Sequence, residues 1–442
     1  MDRATLFQYA LLGIFGVLGV AGLIFFATFT SRPSDTGVVI QPMVIWGPPL
    51  GTGDYQGKLR EMSDKNELFG KITYVERNPV TFYKDVMEAI ATGKAPDIIV
   101  VDQTLLLQMR NKLQPISYTT MSLSTFRSMF VEGGEVFALS DGIYAFPFLV
   151  DPLVLYWNRD LFTNAAVAQV PETWDSVVEL VPKLRKVGTG GDLSQGAIAF
   201  GQYDNVFHAK DILSALLLQS GVRVSYFDEG GNIRADLTND VTENAIPDRA
   251  LQFFVDFANP GLTAVYGWNK TFDRSREAFA ANRVAMYVGP ISDVQALKDM
   301  NPNLNFDVVQ LPQSRRTNQV TFGTFYGLAV LKGTTNPYAA HAVQVLSGAD
   351  AAPVWGEVSG LMTVLRSALK SDPRNAFSDT SVRSAIIARA WLEPGSKSET
   401  DAIFQHMVND LISSRETSAK NVLDRSQAEL NTLLQPYNEH EL

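Results

Sequence analysis

The chain has 442 residues, a length that favours two or three globular units over one small module. It is 46% hydrophobic and 19% charged, too apolar for disorder and too mixed for a polytopic membrane protein. Its 37 basic and 47 acidic residues give a formal net charge of -10, which argues against nucleic acid as a partner; the lack of cysteine removes disulfides, thiolate metal sites, a cysteine nucleophile and lipidation of an N-terminal cysteine.

From Tyr9 to Phe29 no residue is charged. As a helix at 1.5 Å per residue this run spans about 32 Å, the thickness of a bilayer core. Asp2 and Arg3 precede it, and Ser31 to Asp35 form a polar spacer. A secretory signal peptide is the rival reading, but its apolar run would be about 7 to 15 residues and end in a small-x-small site. Here Phe25 stands two positions before Ala27. Residues 1–37 are therefore expected to be an uncleaved anchor and spacer.

Beyond this point strand and helix signals alternate. Val38–Trp46 reads as a buried strand ending in the Gly47-Pro48-Pro49 loop, Tyr55–Leu68 as a helix and Lys71–Glu76 as a second strand. Thr81–Thr92 is a predicted helix stopped by Gly93, and Asp97–Asp102 is an apolar strand of the kind a parallel sheet buries on both faces. This order predicts an α/β fold. Gly142–Asn158 is extended but interrupted by Pro147 and Pro152, as expected of edge or crossover segments. Helices are predicted from Thr173, over Asp211–Ser220, around Glu243–Phe257 and over Arg274–Ala281, with a hairpin at Tyr226–Thr238. Arg283–Gly289, Phe306–Pro312 and Gly327–Gly333 read as strands, and the chain is mostly helical from Pro337 to about Leu434.

Motifs for catalysis or metal binding fail in detail. His208, His341, His406 and His440 lie far apart, form no one-turn pair and read as structural or solvated. Gly51–Lys58 imitates a phosphate loop, but Leu59 stands where a Mg²⁺-binding hydroxyl is required. Ser367-Ala368-Leu369-Lys370 lacks the companion motifs of a Ser-x-x-Lys enzyme, and Asp228–Asn232 lacks the spaced oxygens of a calcium loop. No catalytic residue, metal or cofactor is predicted.

Several segments, in order, resemble the family 1 extracellular solute-binding proteins of ABC transporters, the group that includes maltose-binding protein. They are the strand ending in Trp46; the Gly93-Lys94-Ala95-Pro96-Asp97-Ile98 passage into Asp102; Gly142–Phe162; Val170–Leu184 with its Pro-x-Thr-Trp helix start; the Phe227–Ile233 hairpin; Phe279–Pro290; and Gly323–Leu346. The resemblance implies a two-lobed type II periplasmic-binding-protein fold that closes on a ligand in the interlobe cleft, here with an N-terminal transmembrane helix. Crossovers would lie near Pro147–Pro152, Leu311–Ser314 and Ser359–Met362. Lobe one would comprise 38–148 plus 315–358, and lobe two 152–311 plus 362–435.

Ligands of open α/β sheets bind outside the carboxyl ends of the strands, which favours Trp46 and Asp102. Sugars stack on aromatic rings and bond to carboxylates, amides and arginine. On the resemblance, Phe148 and Asp151 at the first crossover and Tyr203 with Asp204 after Gly201 are further candidates, to which Trp268, Tyr287, Phe325, Tyr326, Arg366 and Trp391 are added. Ile291 stands where the family often carries tryptophan, which argues against long maltodextrins. The expected function is an extracytoplasmic, membrane-anchored, monomeric solute-binding protein that captures a mono- or oligosaccharide for an ABC permease. The alternatives are a membrane-tethered ligand sensor or surface-interaction protein, and an enzyme acting on a cell-envelope polymer.

Overall fold

The computed structural model describes residues 40–438 apart from 52, 191, 239–245, 316, 372–374, 414 and 417. The expected transmembrane helix Tyr9–Phe29 lies outside these residues; among the described residues no helix is long and apolar enough to cross a membrane.

Met43–Gly47 lies between Ile72–Glu76 and Ile98–Asp102, parallel to both. Ile98–Val101 is buried on both faces, as its unbroken apolar run requires, and Asp102 closes the strand at its carboxyl end. The expected Tyr55–Leu68 helix is two pieces. Asp54 caps the first, Tyr55–Met62, by accepting from Gly57 N at 2.8 Å, and Asn66 caps the second, Glu67–Gly70. Gly93, at φ +68°, ends the helix Phe82–Ala91.

Two long strands complete the sheet. Thr321–Val330 runs antiparallel to Ile98–Asp102 on one side and to Phe146–Asn158 on the other. It starts six residues before the predicted Gly327, because Gly323 and Gly327 break the apolar signal while serving the packing. A Cβ on Gly323 would sit 3.0 Å from Val150, and one on Gly327 2.8 Å from Ala145.

Phe146–Asn158 is shared by both lobes. Its first half pairs with Thr321–Val330 and Met362–Thr363; from Leu153 onward it pairs with Val284–Pro290 on one side and Phe306–Gln310 on the other. Pro147 stands opposite Gly327 at a β-bulge, and Pro152 opposite Gly323 where the strand changes neighbours, so neither missing N–H breaks a regular ladder. Leu193–Ile198 extends the second half in parallel with Val284–Pro290. The helix Trp174–Leu184 starts at Thr173, whose hydroxyl accepts from Ser176 N at 3.3 Å, and Trp174 is buried against Phe200. The helices Lys397–Ile412 and Ala419–Leu434 cover lobe two, where Asn431 and Asn438 accept from Ala235 N and Ile233 N of the hairpin. The result is an α/β fold of two lobes.

Trp355, 3% exposed, ties the lobe-one core together. Its ring lies 5.6 Å from those of Tyr55 and Phe148, and its indole N–H donates to Leu346 O at 2.7 Å. Trp355→Ala is expected to lower the unfolding free energy by about 3–5 kcal/mol in urea titrations. Val80→Ala, at a side chain 90% exposed, is expected to change it by less than about 0.5 kcal/mol.

Candidate ligand-binding cleft

Residues directly opposite one another in an antiparallel pair point to the same face. Tyr326 is opposite Asp102, and Thr324 is opposite Asp151. These four side chains therefore share one face, where Phe146–Asn158 passes from one lobe to the other. Asp102 Oδ1 accepts from Thr104 N, Leu105 N and the Thr104 hydroxyl, a local turn that fixes the carboxylate. Asp151, 9% exposed, accepts from Ser292 N at 3.1 Å. Burial pushes its pKa up to about 6, and the Ser292 contacts offset this only in part.

Lobe two brings the first turn of Ala209–Ser220, a helix packed on Thr321–Val330, to the same place. Burial, followed by Asp151, Asp102 and Asp211, holds the proton firmly on the Tyr326 hydroxyl. His208 precedes the helix at φ +65°, a left-handed conformation that costs a non-glycine residue about 1–2 kcal/mol. Its Nδ1 lies 3.4 Å from Asp211 and its Nε2 3.5 Å from Asp293. Burial works against the imidazolium, but the two carboxylates prevail and raise its pKa to about 9. Asp293 also binds Arg276 at 3.0 Å and accepts from the Tyr287 hydroxyl, and despite burial it is held below the usual carboxylate range.

Lys210 stands in the first helical turn, where the helix dipole disfavours a cation. It is buried and ion-paired to buried Glu393. Burial opposes its charge, yet Glu393 and Asp211 outweigh burial and raise its pKa. Glu393 is pushed up by burial against the pull of Lys210, and its Oε1 has no hydrogen-bond partner. The segment carrying Glu393 also reaches lobe one: Glu393 N donates to Gln103 O at 3.3 Å, and Gln103 Oε1 accepts from Phe325 N at 3.0 Å. Among the described residues no His, Cys, Asp and Glu side chains converge closely enough to hold a metal ion. The cleft presents fixed acceptors and a few cations, an arrangement suited to holding a polar ligand.

Residues 71–351, more than half of the chain, match the family described as bacterial extracellular solute-binding protein. The chain belongs to this family. Members bind solutes, and this one is a binding protein, not an enzyme. Similar solved structures include a cyclo/maltodextrin-binding protein complexed with maltotetraose, at TM-score 0.68 and 14% identity, covering 91% of this chain and 99% of that one. The sugar-binding protein MalE of Xanthomonas citri matches at TM-score 0.68 and 16% identity over 90% of this chain and 98% of its own. An ABC transporter solute-binding protein of Thermotoga lettingae, bound with α-D-tagatose, matches at 0.63 and 17% over 89% and 100%.

In this solute-binding protein the predicted site residues separate into groups. Asp102, Asp151 and Tyr326 meet at the crossover. Trp391 is near them in lobe two: its indole N–H donates to Ser214 Oγ at 3.1 Å, two residues before Glu393. Tyr203 donates to Asp401 Oδ1 at 2.6 Å and lies within the field of Asp211 and Glu393, while exposed Asp204 accepts from Gln405. Tyr287 is fully buried and reaches the cleft through Asp293. Three rings are closed off in the cores. Phe148 is the extra residue of the β-bulge and meets Trp355 edge-on; Phe325 is on the face opposite Tyr326, against Gly133; Trp268 stacks on Phe272 and donates to Asn205. Trp46, in register with Ile99, points to the face opposite Asp102, with the Arg77 guanidinium 3.8 Å from its ring centre. Arg366 is exposed and donates to Phe130 O.

Sequence reading missed His208, Lys210, Asp211, Arg276, Asp293 and Glu393. The signal present was local: three ionisable residues, His208, Lys210 and Asp211, open an otherwise apolar helix. The apparent phosphate loop is occupied differently, since Lys58 pairs with Glu61 at 3.2 Å and Glu357 at 3.5 Å. Two concavities of about 210 Å³ lie outside the cleft, one beside Lys58 and Glu357, the other at Gln219 and Ser314.

The Asp151 pKa has a stability consequence. Because it rises from 3.8 to about 6 on folding, the native state resists ionisation, and stability is lost as pH climbs from about 4 to 6. Asp151→Asn, which still accepts from Ser292 N, is expected to stabilise the protein by about 2–3 kcal/mol above pH 6. The advantage should vanish below about pH 4, where the carboxyl is neutral in both states; urea unfolding across this range reads it.

Proposed function

We propose that this protein captures a mono- or oligosaccharide in the cleft at the crossover and delivers it to an ABC permease. It does so as a monomer outside the cytoplasm, held at the membrane by residues 1–37. The observation that carries the reading is the convergence of Asp102, Asp151 and Asp211 around Tyr326, with Glu393 in the field of Asp102 and Asp211, from segments far apart in the chain, in a fold whose solved relatives are described with sugars bound. Carboxylates accept hydroxyl protons from a sugar, and rings such as Tyr326 and Trp391 offer an apolar face. Lobes of 38–148 plus 315–358 and 152–311 plus 362–435 would close about Asp151, so that each lobe supplies part of the contact set and the ligand itself holds them together.

Isothermal titration of the full-length protein in a non-glycosidic detergent, against neutral and aminated sugars with amino acids and nucleosides as controls, tests this reading. At least one carbohydrate is expected to bind, with Asp102→Asn weakening it about 10-fold or more. Failure of every carbohydrate to bind would overturn it.

A further inference from the structure

Two carboxylates of the cleft form no ion pair, although His208 acts on Asp151 from a distance. Asp293 is held by His208 and Arg276, Asp211 by His208, and Glu393 by Lys210, whereas neither Asp102 nor Asp151 has an ion-pair partner among the described residues. Counting also Lys397, whose charge acts on Asp211, and Asp401, whose charge acts on Lys210, six carboxylates face four cations and leave an excess of two negative charges. A second observation is independent of this count. Glu393, 1% exposed, uses only Oε2 on Lys210, and its Oε1 meets no donor although it is buried. A buried carboxylate oxygen left without a donor is among the costlier defects a fold can carry.

We infer that the ligand bears a protonated amine, which sits among Asp102, Asp151 and the unpartnered Oε1 of Glu393. On the carbohydrate reading proposed above, on which this rests, the ligand is an aminated sugar. An ammonium brings three donors, no acceptor and the charge that the cleft lacks; a hydroxyl brings one donor and no charge. Hydrogen bonds between ionised partners are roughly twice as strong as neutral ones, and Asp151 and Glu393 are buried. Lys210 meets the other oxygen of Glu393 and leaves Oε1 without a donor. The same excess of negative charge rejects phosphorylated or carboxylated ligands.

The test compares glucosamine, galactosamine, mannosamine and the dimer to tetramer of glucosamine with their N-acetylated and hydroxyl counterparts, plus spermidine. Binding is measured calorimetrically at pH 7.5 to the full-length protein in a non-glycosidic detergent. An amine is expected to bind about tenfold or more tighter than its uncharged counterparts. The preference should shrink to within about threefold in Glu393→Gln and in Asp151→Asn, with folding of both verified by circular dichroism. Equal or tighter binding of an uncharged counterpart would overturn the inference and leave the carbohydrate reading standing. Binding of spermidine without any sugar would uphold recognition of the amine and overturn the carbohydrate reading. Binding of none would overturn both.

Discussion

The structure depends on one strand serving both lobes. Phe146–Asn158 enters lobe one opposite Thr321–Val330 and leaves through lobe two between Val284–Pro290 and Phe306–Gln310. The strand exchanges its partners near Asp151 and Pro152. Proline at that point removes a ladder donor where no regular ladder continues, and Gly323 opposite it leaves room for Val150 and Ala388. The chemistry of the cleft is placed by the same device. Asp151 lies on the shared strand, while Asp102 and Tyr326 reach its face through antiparallel register.

The burial of Asp151 opposes stability at this point. A leucine at Asp151 would be the cheaper choice for a side chain this buried, and an acidic residue in place of Lys210 would suit the helix dipole better. The left-handed His208 adds backbone strain beside them. Such concentrations of cost are expected at sites shaped for a ligand. Elsewhere the chain follows local rules closely: Asp54, Asn66, Thr173, Ser396 and Ser418 all cap helix starts through their side chains.

Much of the fold was legible because strand burial is written as apolar runs and helix starts as caps. Ile98–Asp102 lies within one residue of its predicted limits, and Trp174–Leu184 begins one residue after the predicted start at Thr173. The cleft was legible only where a charge ended or interrupted an apolar strand, as at Asp102 and Asp151. The rest was hidden for two physical reasons. Neighbouring residues on a strand face opposite ways, so Tyr326 could not be separated from Phe325 before the register was known, and a bulge diverted Phe148. Lys210 and Glu393 are 183 positions apart, and nothing in either neighbourhood announces the partner.

The central claim is that the ligand is held at the strand exchange. A crystal structure of the protein grown with a bound carbohydrate tests it most directly. The account predicts sugar hydroxyls or amines within about 3.2 Å of Asp102, Asp151 or the Tyr326 hydroxyl. A sugar seated elsewhere, such as the concavity at Gln219 and Ser314, with these three side chains untouched, would contradict it.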